Sequence, residues 1–183
     1  MKRKLLAILT SIVLLCAMLP LGAVSVNAAT TGTYGGMNYK IANGEVTITG
    51  YTSDLPEHVT IPATIEGCPV TVIGDDAFYG CRLLTLVMAD TITEIGKSAF
   101  SGCFDLGYVD MSDAVVEIKD SAFCACNLFS IDLPNGVTTI GKYAFQACGL
   151  SSVTIPDSVT YIGDCAFKDC SSLTSIEVGS KNT

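Results

Sequence analysis

The sequence has no tryptophan, one histidine and few charges, with only 15% of its 183 residues Asp, Glu, Lys or Arg. Basic residues are the scarcest charges: 10 Lys and Arg stand against 18 Asp and Glu, a net −8. Without Lys2, Arg3 and Lys4 the balance is seven against 18, or −11. Long-range repulsion then argues against nucleic acid and anionic lipid as partners. Low charge combined with 49% apolar residues argues equally against disorder. The length suffices for one domain or for a run of small repeats.

Long apolar runs are absent except at the start. Lys2-Arg3-Lys4 precede Leu5 to Met18, which is apolar apart from Thr10 and Ser11. Pro20 and Gly22 break the run, and Val26-Asn27-Ala28 offers small residues at −3 and −1 of a cleavage site. These are the three parts of a secretory signal peptide, residues 1–28, so the chain is expected to be secreted or held at the cell surface. Leu5 to Val24 is just long enough to span a bilayer, but Pro20 and the cleavage site favour removal. No membrane insertion is then expected after cleavage. Cys16 follows Leu15, where lipid attachment would need a small residue.

What the chain has in abundance is self-similarity. Ala-Phe recurs at Phe78, Phe100, Phe123, Phe145 and Phe167, with spacings of 22, 23, 22 and 22. Cys follows each Phe by three residues (Cys81, Cys103, Cys126, Cys148, Cys170), and Ile precedes each by five (Ile73, Ile95, Ile118, Ile140, Ile162). An L-x-x-L-x-L pattern intervenes, as in Leu150/Val153/Ile155, and a sixth copy begins at Leu173/Ile176/Val178. A unit of about 22 residues cannot bury its own apolar side, so successive coils must stack around one core. The alternating x-L-x-L portion predicts a strand in a parallel ladder. Pro134 and Pro156 end strands, and Asn135 and Asp157 behind them, like Asp90 and Asp113 in other copies, make turns. A second extended piece such as Val159 to Ile162 leads to the glycine column Gly74, Gly96, Gly141 and Gly163, in which Lys119 shows that positive φ is not required. Asp164 to Cys170 is expected to form one helical turn with Ala166, Phe167 and Cys170 inward. Six coils at ~4.8 Å per step make a stack of about 25 Å.

The unit running from Leu150 to Cys170, with VTxIG before AFxxC, resembles the BspA-type leucine-rich repeat of bacterial secreted and surface proteins. The resemblance covers roughly Leu55 to Val178. It departs in the first copy, where Pro62 to Val70 is five residues longer than Pro156 to Val159, and at Ala89 and Ser112, which replace Pro. The resemblance implies a solenoid with a parallel strand ladder and adhesion to macromolecules of a host or a neighbouring cell. Ahead of the repeats, Tyr39 to Ile48 predicts a hairpin with an Asn43-Gly44 turn, suited to cover the first coil. The expected organisation is thus a signal peptide (1–28), an N-terminal segment with a capping hairpin (29–54) and repeats (55–183), five complete and a sixth unfinished. Continuation into further repeats or another domain is expected.

Several features mimic chemical sites. Eight cysteines follow the signal peptide, which in an exported chain suggests disulfides. Five of them occupy one core slot per coil, where a thiol packs as a small hydrophobe. Adjacent rungs nonetheless lie within disulfide reach. Cys124 and Cys165 fall off the column, and Cys124-x-Cys126 lacks further ligands for a metal. Gly136 to Lys142 fits half of a phosphate loop, but Tyr143 stands where Ser or Thr is needed, and the stretch is the repeat's own turn. His58, beside Glu57, is expected to be a surface strand residue. No cofactor, metal or catalytic constellation emerges.

Surface remains. The outward strand columns are Thr85, Tyr108, Ser130, Ser152, Ser175 and Val87, Asp110, Asp132, Thr154, Glu177, with Leu84 and Phe129 at the strand entrances. Hydroxyls, carboxylates and aromatics suit recognition of an extracellular protein or glycan. The expectation is a non-catalytic recognition or adhesion module binding through Tyr108, Asp110, Phe129 and Asp132. The alternative is a structural spacer or accessory scaffold for an enzyme or anchor domain beyond Thr183.

Overall fold

The computed structural model describes residues 29–180, so the expected signal peptide lies outside the described residues. The fold is a solenoid of three-sided coils. One side carries longer strands: β4 (His58–Ile61), β7 (Thr85–Met88), β9 (Tyr108–Asp110), β12 (Ser152–Ile155) and β14 (Ser175–Val178). Strict alternation places Leu86, Met88, Val109, Val153 and Ile155 in the core while their neighbours face out.

The second side is a ladder of short strands, β6 (Cys68–Ile73), β8 (Glu94–Ile95), β10 (Glu117–Ile118), β11 (Thr139–Ile140) and β13 (Tyr161–Ile162), all paired in parallel. Its register stacks Ile73, Ile95, Ile118, Ile140 and Ile162 directly on one another. At the glycine column φ is not positive, as Lys119 implied; what the glycines permit is close approach. A Cβ on Gly96, Gly141 or Gly163 would lie 2.4–2.6 Å from backbone atoms of the preceding coil. Where Lys119 occupies the column, its amide reaches Ile95 O at 3.0 Å, against 2.7–2.8 Å for the equivalent bonds of Gly96, Gly141 and Gly163. Lys119 also extends to Glu94 at 2.6 Å.

The third side corrects an expectation, for among the described residues it holds turns and no helix. Each turn is bracketed by two residues in the left-handed region: Asp76 and Gly80, Ser98 and Gly102, Ser121 and Ala125, Tyr143 and Ala147, Cys165 and Asp169, with φ between 50° and 75°. Left-handed residues cannot continue a right-handed helix. Alternate amides instead leave the coil, Asp76 N, Phe78 N and Gly80 N donating to Lys97, Ala99 and Ser101 carbonyls at 2.8, 2.7 and 2.8 Å. Those between, Ala77, Tyr79 and Cys81, donate three residues back within the turn. The expected inward set survives: Ala, Phe and Cys of each turn face the core, with Phe167 of the last coil partly buried.

The Phe rings form a continuous column, stacked at 5.1 Å (Phe78–Phe100 and Phe100–Phe123) and 5.5 Å (Phe123–Phe145 and Phe145–Phe167), within 8° of parallel. Burying each ring contributes about 1.5–3 kcal/mol, and offset stacking adds to it. Tyr51 caps this column 6.3 Å from Phe78.

The N-terminal cap is a meander of β1 (Thr30–Tyr34), β2 (Met37–Ala42) and β3 (Glu45–Tyr51). The Asn43-Gly44 turn joins β2 to β3 with φ of 54° and 81°, both positive as a type I′ hairpin requires. β3 pairs in parallel with β6, so the cap prolongs the short-strand ladder. β1 was not anticipated from the sequence. The five extra residues of the first coil form a second tight hairpin, β5 (Thr64–Ile65) against the start of β6, turning on Glu66 and Gly67. Its Ile65 is buried in the core.

Candidate functional site

The long-strand face is interrupted. β4, β7 and β9 pair in register, His58 with Thr85 and Tyr108, Thr60 with Val87 and Asp110. β12 pairs only with β14. Between them runs 130–133, which keeps its inward Ile131 buried but joins neither sheet. The coils stay stacked on the Phe side while the strand side opens. Ser112, in place of proline, is fully buried and donates to Ile92 O at 2.8 Å, holding the end of the β9 coil against the coil before it.

The opening forms two shallow clefts. One, of about 300 Å³, is lined by Tyr108, Asp110, Asp113, Ser130, Asp132 and Asn135 together with the backbone of both coils. The other, of about 210 Å³, lies across 130–133 and adds Ser152 and Thr154. Of the four residues proposed from the sequence, Tyr108, Asp110 and Asp132 share the first cleft. Phe129 stands outside it at the strand entrance, 60% exposed, its ring 3.6 Å from where a Cβ would sit on Gly107 and on Gly149. Asp113 and Asn135, read from the sequence as turn formers, also line this cleft. Nothing in the repeat pattern marks them as cleft residues, since they stand in the sequence only as polar residues behind a strand end.

The lining carries three carboxylates and no basic side chain, so the cleft favours neutral polar or cationic groups. The ladder's interruption frees backbone amides and carbonyls of 130–133 to meet a ligand, as an unpaired sheet edge does.

The other candidates resolve into structure. His58 begins β4 and meets Thr85 Oγ1 through Nδ1 at 2.8 Å, tying two coils together. The amide of Lys142, at the end of the apparent phosphate loop, donates to Asp120 Oδ1 at 2.8 Å. Cys103, Cys126, Cys148 and Cys170 are buried and donate to carbonyls of Phe78, Phe100, Phe123 and Phe145 at 3.0–3.1 Å. Burial pushes the Cys126 thiol well above its ordinary value and the Cys148 thiol up to about 12. Cys124 is half-buried beside Gln146, and Cys165 is exposed. Among the described residues no group of three or more His, Cys, Asp or Glu is placed to hold a metal ion.

Comparison with known proteins agrees with this architecture. The pattern of the BspA type leucine rich repeat region matches residues 71–183 as six copies. A leucine-rich repeat protein of T. pallidum is 33% identical, superposes with a TM-score of 0.74, and shares 80% of this chain and 71% of its own. One from Bacteroides ovatus is also 33% identical, with a TM-score of 0.70, covering 85% of this chain but 41% of its own. A leucine rich cell surface protein of Faecalibacterium prausnitzii is 25% identical at a TM-score of 0.50, over 83% of this chain and 55% of its own. This chain therefore spans less than half the length of the Bacteroides relative. No curated protein matches the sequence significantly. Repeat pattern, solenoid and structural relatives agree: the chain belongs to the BspA-type leucine-rich repeat family.

Proposed function

We propose that this chain is a non-catalytic recognition module of an exported protein, secreted or held at the cell surface, that binds an extracellular protein or glycan on its long-strand face. The observation that carries the reading is the interrupted strand ladder, which places Tyr108, Asp110 and Asp132 around one polar cleft beside unpaired backbone. Carboxylates and free carbonyls accept hydrogen bonds from sugar hydroxyls or peptide amides, while Tyr108 and the neighbouring Phe129 offer aromatic faces. The occupant would be held by several modest contacts, without covalent chemistry. A relative described as a cell surface protein supports the location.

The test is binding to a glycan array and to a panel of extracellular proteins, comparing wild type with Tyr108→Ala and Asp132→Lys. Both side chains are exposed, so folding should be unchanged. Loss of at least about tenfold in affinity, or 1.4 kcal/mol, is expected for each variant. Unchanged binding by both variants would instead favour a spacer that carries an enzyme or anchor domain elsewhere. The greater length of the Bacteroides relative lends that second reading its support.

A further inference from the structure

The cysteine column contains one rung unlike the others. Cys103, Cys126, Cys148 and Cys170 each donate to the Phe carbonyl of the coil before. Cys81 belongs to the first coil, where the cap supplies Tyr51 in place of a preceding Phe. Its sulfur meets the Cys103 sulfur at 2.9 Å, inside the ordinary non-bonded separation of two sulfurs. The two coils are clamped beside this contact by Phe78 N to Ala99 O and Gly80 N to Ser101 O, at 2.7 and 2.8 Å. Coil spacing of ~4.8 Å falls within the ~4.4–6.8 Å between Cα atoms that a disulfide spans. Both residues are free thiols.

Cys81, 4% exposed, borders solvent. It lines a cleft of about 340 Å³ between the end of the cap and the first coil, with Tyr51, Ser53, Glu57 and Arg82. Cys103 lies one layer deeper and is fully buried.

We propose that Cys81 and Cys103 are an exchanging thiol pair, in which a small-molecule disulfide enters the cleft beside the cap and the pair closes into a disulfide joining the first two coils. Cys81, as thiolate, attacks one sulfur of the entering disulfide, forming a mixed disulfide and releasing one thiolate. Cys103 then gives up its proton, attacks the Cys81 sulfur and displaces the second thiolate. Two electrons pass from the cysteine pair to the small disulfide, which leaves as two thiols. The order follows from access, and the hydrogen bond supports it: once Cys81 ionises, the Cys103 proton can turn from Phe78 O to the Cys81 sulfur, and this contact lowers the Cys81 thiol, whereas the same contact and burial raise that of Cys103.

The test is to incubate the folded protein with glutathione disulfide, alkylate the remaining thiols after unfolding, and map the cysteines by mass spectrometry. The expected product is a Cys81–Cys103 link, alongside a glutathione adduct on exposed Cys165 that shows the reagent to be active. Cys103→Ala should trap glutathione on Cys81, and Cys81→Ala should leave Cys103 alkylatable. The proposal is overturned if Cys165 is modified while Cys81 and Cys103 remain alkylatable in the wild type. A stable glutathione adduct on wild-type Cys81 overturns it as well. The wild-type map alone decides the matter should either variant fold poorly.

Discussion

Removing a ring from the middle of the Phe column should cost far more than removing one near its end. Phe100 is fully buried and has ring neighbours on both sides at 5.1 Å. Phe100→Ala therefore loses a complete side-chain transfer, leaves a cavity and forfeits two stacked pairs. That places it at the upper end of the range for such substitutions, about 4–5 kcal/mol. Phe167 is partly buried and has one ring neighbour at 5.5 Å. Its replacement by Ala should cost about 2–3 kcal/mol, since the ring is less completely buried and loses a single pair. Phe100→Leu retains apolar volume while losing both pairs, and should also cost about 2–3 kcal/mol. The assay is urea unfolding followed by far-ultraviolet circular dichroism, because the chain has no tryptophan to report by fluorescence. The denaturant slope must also be compared, since a change in it would mean that the coils no longer unfold together. Equal losses for Phe100→Ala and Phe167→Ala, at unchanged slope, would refute the idea that stacked rings bind the coils into one unit.

Other consequences are equally direct. Gly141→Ala should destabilise by about 1–3 kcal/mol, because its Cβ would stand 2.5 Å from Asp120 N, whereas Gly136→Ala, whose nearest contact is 3.5 Å, should shift stability by no more than about 0.5 kcal/mol. Thermal melts of the two variants check this. Ala147→Gly should raise stability by about 1 kcal/mol, since Ala147 holds a left-handed φ of 54° that glycine adopts freely; a lowered melting temperature would contradict it. Stability should also fall in alkali. The Cys126 and Cys148 thiols are raised in the fold, Cys148 to about 12, so the unfolded chain releases these protons first as pH climbs past about 8.5. Urea midpoints should accordingly be level from about pH 6 to 8 and decline from about pH 9 towards 12.

The sequence made the coil legible because the core admits few substitutions. Phe, Cys and Ile recur at fixed offsets since each must fill the same slot between identical neighbours, and the Asn43-Gly44 pair announces a turn that needs two positive φ angles. The turns after the glycine column were harder to read. Their left-handed positions are filled by Asp, Ser, Tyr and Cys at one end and by Gly, Ala and Asp at the other, so no residue type marks them. Cross-coil hydrogen bonds, formed identically by any backbone, stabilise these conformations, and the pattern of inward residues alone is shared with a helical turn. The candidate site was half visible. Alternation assigned Tyr108, Asp110 and Asp132 to the outer face, but that face opens where 130–133 fails to pair with the strands beside it, and pairing depends on the whole stack.

The cross-coil bonds on the turn side have a further consequence. Every such amide, from Asp76 N to Ala147 N, points towards the later coil, and every carbonyl that receives one points towards the earlier coil. The stack is therefore an arrow: along this side one end presents donors and the other acceptors. Tyr51 is fitted to the acceptor end, its hydroxyl donating to Tyr79 O at 3.2 Å. Whatever joins the opposite end must arrive with carbonyls forward, so two such stacks can lengthen one another head to tail but cannot meet tail to tail without setting N–H against N–H.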